Sequence, residues 1–411
     1  MTSRERVLAA VAHREPDRLP IDCGAMRSTG IQAIAYNRLK RYLGVEGGQT
    51  RVFDVIQQLA EPEGFYLDRF GIDAVNAGRE FSPDDRWKDW TLPDGSPCRI
   101  PACIDIVPDG ADWVASGPSG EPTARMIAGA TYFSQSCFPL QDADPGALPA
   151  DLSGAMGRVC WAALPEPIYE GGLSDENLSR IGEHVARLRQ TTDRAIMIAF
   201  GANLFEWGSF LRRMDNFLMD LAVEPAGAEA LLDRLVEAHL AGLERLLPVL
   251  GGNVDLIQLG DDLGTNAGPI MSPDMYRRFF KPRHRLIVDR IHALAPGLVV
   301  FLHTCGSIYE LLGDLIEAGF QVINPVQISA RNMDPARLKR EFGRDIAFWG
   351  GGCDTQTVLP RGTPQEVRDH VRRNIDILAP GGGFVFNQVH NILAEVPPEN
   401  ILAMYEAAGA A

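Results

Sequence analysis

The chain has 411 residues, 45% of them hydrophobic and 23% charged, with 39 basic against 54 acidic side chains and a net charge of −15. This is ordinary globular usage, which disfavours disorder, collagen-like repeats and coiled coil. An acidic surface repels nucleic acid and anionic lipid, and no window approaches the ~18 uninterrupted apolar residues of a membrane span. The opening Met1-Thr-Ser-Arg-Glu-Arg6 leads into an amphipathic stretch rather than a signal-type apolar core, so a cytoplasmic protein is expected. Seven cysteines, an odd number, are scattered as Cys23, Cys98, Cys103, Cys137, Cys160, Cys305 and Cys353. That is no disulfide framework; any that matter act as thiolates.

In chain order, short apolar β-branched runs predict strands at Arg18–Asp22, Ile72–Ala77, Ala195–Gly201, Val254–Gly260, Leu298–His303, Gln321–Pro325, Asp345–Gly350 and Gly383–Asn387. Several are apolar throughout, which suits parallel strands buried on both faces. Helical patterns fill 175–193, 203–222, 225–249, 306–319 and 334–342. Ser272-Pro273-Asp274, Thr363-Pro364-Gln-Glu366 and Pro397-Pro398-Glu399 are helix starts. Eight strand–helix units imply parallel pairing with right-handed crossovers and a closed (β/α)₈ TIM barrel, an open doubly wound sheet being the runner-up. Residues 78–194 break the alternation between strands two and three. Trp87–Leu92 with Pro93-Asp94-Gly95, and Asp112–Ser116 with Thr123–Ala128, read as hairpins. The whole chain, 1–411, is thus expected to be one barrel domain with a β-hairpin-rich insertion over its mouth.

Reactive groups of such barrels stand at the C-terminal ends of the strands. There the sequence places Asp261, Asp262 and Asn266, then His303 and Cys305, Asn324 and Gln327, Cys353, and finally Asn387, His390 and Asn391. Residues two apart on extended chain project to one side, so His303 and Cys305 face the axis together. Cys353 lies at the mouth of strand seven, an alternate strand to strand five, and alternate strands share interior layers. An imidazole and two thiols suit Zn²⁺ with one position left open. Taken singly, such residues are more often a packed thiol or a hydrogen-bonded core histidine. Asp261 and Asp262 read as loop caps, or as acids that orient a ligand or serve as an acid–base pair. His390 with Asn387 and Asn391 reads as a turn stabiliser or a substrate-contacting cluster. The remaining histidines are expected to be solvated, and the basic run Tyr276–Arg285 to be a salt-bridged outer face.

The stretches Asp255–Asn266, Ser272–Tyr276, His303-Thr-Cys-Gly306, Trp349–Gln356 and Pro397–Ile401 resemble the uroporphyrinogen decarboxylase superfamily, and the opening Arg4–Pro20 resembles its methyltransferase branch. The resemblance implies a (β/α)₈ barrel. Decarboxylases of this superfamily meet a tetrapyrrole's carboxylates with an arginine-rich N-terminal motif, whereas the corresponding Ile21-Asp-Cys-Gly-Ala-Met-Arg27-Ser has one arginine. The corrinoid-dependent branch is marked by a zinc-binding His-x-Cys pair and a later Cys, which His303, Cys305 and Cys353 match. Phe386-Asn-Gln-Val-His390 is similar to the decarboxylases' Phe-Asn-x-Gly-His, with Val389 in place of Gly.

The resemblance therefore implies methyl transfer between a small substrate and the cobalt of a separate corrinoid protein. Zinc would be held by His303, Cys305 and Cys353. Asp261, Asp262 and His390 would be catalytic, and Asn266, Asn324 and Gln327 would position substrate. A tetrapyrrole decarboxylase is the alternative.

Overall fold

A computed structural model describes residues 1–409. Its centre is a seven-stranded, all-parallel sheet in sequential order: β1 (Ala74–Asn76), β2 (Ala195–Gly201), β3 (Leu256–Gly260), β4 (Val299–His303), β5 (Val322–Asn324), β6 (Ala347–Trp349) and β7 (Phe384–Val385). The eighth position is filled by Ile21, which bridges in parallel to Phe386 on one side and Ile72 on the other. Both edges of the sheet thus meet one residue. The sheet closes as a (β/α)₈ barrel, and the open-sheet alternative falls. The expected strand Arg18–Asp22 shortens to that single bridge: Asp22 N–H and the Pro20 carbonyl pair with Phe386, and the Ile21 carbonyl takes Asp73 N–H. Pro20 has no N–H to carry the ladder further, and Ile21 N–H goes to the Asp73 side chain at 2.9 Å.

Alternation along the strands sorts side chains into two cores. Ala74, Met197, Leu256, Phe301, Val322, Trp349 and Val385 fill the barrel interior, where they pack with Val7, Ala10 and Val11 of the helix Ser3–Val11. That helix starts on a capping box in which Thr2 accepts from Glu5 N–H and Glu5 accepts from Thr2 N–H. The alternate residues, among them Ile196, Ile198, Ile257, Leu259, Val300, Leu302, Ile323 and Phe348, face outward onto the helices. Burial on both faces is why these strands read as unbroken apolar runs.

The crossover helices are α1 (Asp175–Thr191) before β2, then α2 (Phe205–Arg212), α3 (Met214–Val223) and α4 (Pro225–Leu250) between β2 and β3. They continue with α5 (Lys281–Leu294), α6 (Leu312–Glu317), α7 (Pro335–Phe342) and α8 (Pro364–Leu378), and α9 (Pro398–Ala407) follows β7. Thr363 and Glu366 form the capping box of α8. The chain enters α5 through a π-helical turn, Tyr276–Phe280. The basic residues there pair outward, Arg277 and Lys281 with Asp314, Arg278 with Glu229 and Arg283 with Asp233. Trp87–Thr91 pairs antiparallel with Pro97–Pro101, and Asp112–Ser116 pairs with both Asp105–Asp109 and Pro122–Met126. Gln135 of this segment donates to the carbonyl of Phe210 on α2 at 2.7 Å. No helix among the described residues is long and apolar enough to cross a membrane.

Candidate metal and substrate site

Gly260 of β3, His303 of β4 and Asn324 of β5 are successive register partners, so the ends of these strands are level. The loops that follow β3 and β4 then touch backbone to backbone. Gly306 has φ +88°, and a Cβ there would lie 2.3 Å from Gly264 C; a Cβ on Gly264 would lie 2.6 Å from the carbonyl oxygen of Cys305. Only glycine at both positions lets Asp262 and Cys305 come together.

His303 Nε2 lies 3.4 Å from Cys305 Sγ, and the His303 and His390 rings stand edge to face with centroids 5.7 Å apart. One ligand atom each from His303, Cys305 and His390 lies within 4.8 Å of the other two. His303 Nδ1 is 2.8 Å from Asn324 Oδ1, and Asn324 Nδ2 donates to the carbonyl of Trp349 at 2.9 Å. The amide oxygen, so oriented, accepts a hydrogen bond from Nδ1–H and leaves the Nε2 lone pair facing Cys305 and His390. Asp262 Oδ1 accepts from Cys305 N–H at 2.8 Å and lies 3.6 Å from His303 Nε2.

Burial, reinforced by the carboxylates of Asp262 and Glu206, holds the Cys305 thiol well above its ordinary pKa. Burial and the neighbouring acids Asp262 and Asp261 raise Glu206 in the same way. Burial, with His303 beside it, depresses His390 to about 4, so its imidazole is neutral at physiological pH. Two imidazoles and a thiol are a borderline-to-soft donor set, and the negative field that opposes loss of the thiol proton is the field that favours a divalent cation. The residues fit Zn²⁺.

Cys353, expected as the third ligand, lies outside this cluster. Gly350 and Gly351 have φ of +93° and +82°, which swing the chain after β6. The Cys353 side chain is fully buried in the outer core, its sulfur 3.9 Å from the carbonyl oxygen of Asp354, and burial raises its pKa. His390, expected as a catalytic group, occupies the place in the cluster instead.

Asp261 and Asp262 point apart. Asp261, fully buried, accepts from Phe205 and Glu206 N–H at 3.0 and 2.9 Å and lies 3.2 Å from His284 Nε2, so it caps α2 and does not face the mouth. Asn324 is fully buried with both polar atoms engaged, which leaves nothing for a substrate. Gln327 donates to Asn266 at 2.6 Å and accepts from Gly306 N–H at 2.8 Å, bracing the loop after β4. His184, His239 and His284 are buried rather than solvated. Glu206 went unsuspected, although Asn203-Leu-Phe-Glu206 follows a predicted strand end; its Oε2 accepts from Asp262 N–H at 3.1 Å.

A barrel carrying a His–Cys–His cluster at its C-terminal rim defines the class of site. The uroporphyrinogen decarboxylase (URO-D) family profile matches residues 165–410, and the chain belongs to that family. It is 26% identical over 201 residues to "Methylcobamide:CoM methyltransferase MtaA" of Methanosarcina barkeri, covering 48% of this chain and 50% of that protein. It is 31% identical over 133 residues to a uroporphyrinogen decarboxylase of Syntrophotalea carbinolica, 32% of this chain and 36% of that one. The chain spans about half the length of the curated relatives it matches. A solved structure, "methyltransferase from Methanosarcina mazei", superposes on 100% of this chain and 98% of its own with TM-score 0.58 at 19% identity, a likeness of fold.

Proposed function

We propose that this protein is a zinc-dependent methyltransferase that moves a methyl group between a small O-, N- or S-methyl compound or thiol and the cobalt of a corrinoid protein. The observation that carries the reading is the convergence of His303, Cys305 and His390 within 4.8 Å. Those three hold the ion in this reading, with His390 taking the place first given to Cys353. A bound zinc ion supplies Lewis acidity, which favours a thiolate or polarises the heteroatom bearing the methyl group. Asn324 sets the His303 tautomer. Asp262, its side chain 38% exposed beside Cys305, takes or returns the substrate's proton. The insertion 78–194 contributes to the surface that receives the corrinoid partner. All seven cysteines are unpaired, which suits a reducing cytoplasm.

The decarboxylase alternative rests on the family and on the decarboxylases among the relatives. It needs free cations for substrate carboxylates. Arg27, the one arginine of the N-terminal loop, is bound at 2.7 Å to Glu166 and 3.2 Å to Asp54, so its charge is already neutralised. Metal analysis of the purified protein, with spectroscopic titration of cob(I)alamin against methylated compounds, tests the proposal. Bound zinc and formation of methylcobalamin are expected. Equal transfer after metal removal overturns the metal scheme, and loss of carboxyls from uroporphyrinogen selects the alternative.

A further inference from the structure

Helix α2 begins without a cap of its own. Leu204 precedes it in αR conformation with no side-chain hydrogen bond, which would leave the first-turn N–H groups without acceptors. Asp261, fully buried at the end of β3, supplies them: Oδ2 takes Phe205 N–H at 3.0 Å and Oδ1 takes Glu206 N–H at 2.9 Å. The same bond type then repeats outward. Glu206 Oε2 takes Asp262 N–H at 3.1 Å, and Asp262 Oδ1 takes Cys305 N–H at 2.8 Å. Inward, His284 Nε2 lies 3.2 Å from Asp261 Oδ2, and Tyr276 Oη lies 3.1 Å from His284 Nδ1. One assignment satisfies both contacts, with the phenol donating to Nδ1 and Nε2–H donating to the carboxylate. Tyr276 and His284 are buried.

We infer that Tyr276, His284, Asp261, Glu206 and Asp262 form a positioning relay that fixes the backbone of Cys305, and with it the direction of the Cys305 sulfur. The inference rests on the proposed role of Cys305 as a metal ligand. Each carboxylate in the row holds the backbone N–H of the next chemistry-bearing residue, and the row runs from the core to the rim. Asp261 has no part in the chemistry itself, since it is fully buried and its oxygens are spent on α2 and His284. Glu206 acts in this scheme as a hydrogen-bond acceptor, so the carboxamide of glutamine, which keeps one oxygen, can replace it.

That distinction is measurable on the full chain with Co²⁺ as probe. Glu206→Ala should weaken Co²⁺ binding about tenfold or more, the usual effect of losing an outer support of a metal ligand, and should shift the thiolate-to-cobalt charge-transfer band. Glu206→Gln should keep the wild-type band and stay within about threefold of wild-type affinity. If Glu206→Gln is as impaired as Glu206→Ala, Glu206 acts through its charge, and the relay is wrong. A second readout is independent of the metal. In amide hydrogen exchange, Glu206→Ala should speed exchange at Asp262 and Cys305 while the backbone amides at positions 205 and 206 stay protected by Asp261. Tyr276→Phe should speed exchange at Phe205 and Glu206. Unchanged exchange at Asp262 and Cys305 in Glu206→Ala overturns the relay. A wild-type protein that binds no Co²⁺ sinks the metal reading instead, and the exchange pattern then decides the relay by itself.

Discussion

His303 and Asn324 are register partners on neighbouring strands, and the 2.8 Å contact between His303 Nδ1 and Asn324 Oδ1 determines which imidazole nitrogen faces the cluster. The asparagine cannot turn over without cost, because its Nδ2 is bound to the Trp349 carbonyl. Asn324→Ala removes the acceptor and frees the ring to rotate or change tautomer. Zinc affinity is expected to fall roughly 10- to 100-fold, as for other losses of a ligand's hydrogen-bond partner, and competition with a chromophoric chelator measures it. An unchanged affinity would remove Asn324 from any account of the site.

Cys353 and His390 make a paired test of the ligand set. Cys353 is wholly buried among apolar side chains, so Cys353→Ala deletes a small hydrophobe. It is expected to lower stability by about 1 kcal/mol, the scale of a minor core truncation, with zinc content unchanged. His390→Ala removes one of the three clustered donors and is expected to abolish stoichiometric zinc. Elemental analysis of both variants, with thermal melts, checks this. Loss of zinc from Cys353→Ala and retention by His390→Ala would restore the His303–Cys305–Cys353 assignment.

The barrel was legible because parallel strands buried on both faces leave unbroken apolar runs, as in 195–200 and 299–302. The pair His303 and Cys305 was legible for a similarly local reason, the two-residue repeat of a strand continued for one step. What depended on distant packing was not. Two consecutive positive-φ glycines turn Cys353 into the core, and no spacing rule reports the direction of such a turn. Adjacent acids on extended chain face opposite ways, yet nothing local says that Asp261 serves α2 and Asp262 serves Cys305. His239 and His284 sit in helices whose buried faces are set by the barrel behind them.

His239 predicts an acid sensitivity. Burial depresses it to about 4, and its Nε2 lies 3.0 Å from the carbonyl oxygen of Asn203, the residue whose side chain binds Glu206. Its unfolded value is near 6.5. Between these values the unfolded chain binds a proton that the folded chain refuses, so this residue destabilises the fold increasingly as pH drops from about 6.5 to 4, and the effect is absent at pH 7. The full loss is about 3 kcal/mol at 1.36 kcal/mol per unit. His239→Gln keeps a donor for the Asn203 carbonyl and removes the titration. The stability difference between variant and wild type, from urea melts at pH 7 and pH 4.5, should shift toward the variant on acidification. A pH-independent difference would show that His239 does not carry this dependence.

Arg27 completes the set. It lies over the Trp161 ring at 5.2 Å and bridges Glu166 and Asp54, both nearly excluded from solvent. Burial, with the Asp54 carboxylate beside it, raises the Glu166 carboxyl, and Arg27 is the chief influence opposing that rise. Arg27→Met would leave two carboxylates facing each other in a dry site, a loss expected at about 3–5 kcal/mol for breaking a buried pair. Adding Glu166→Gln removes one of the stranded charges, so the double variant should recover part of that loss despite carrying an extra mutation. A double-mutant cycle on denaturant stabilities reads the coupling directly. Strict additivity would mean that the arginine is not committed to these acids and is free to meet substrate carboxylates, the condition the decarboxylase reading needs.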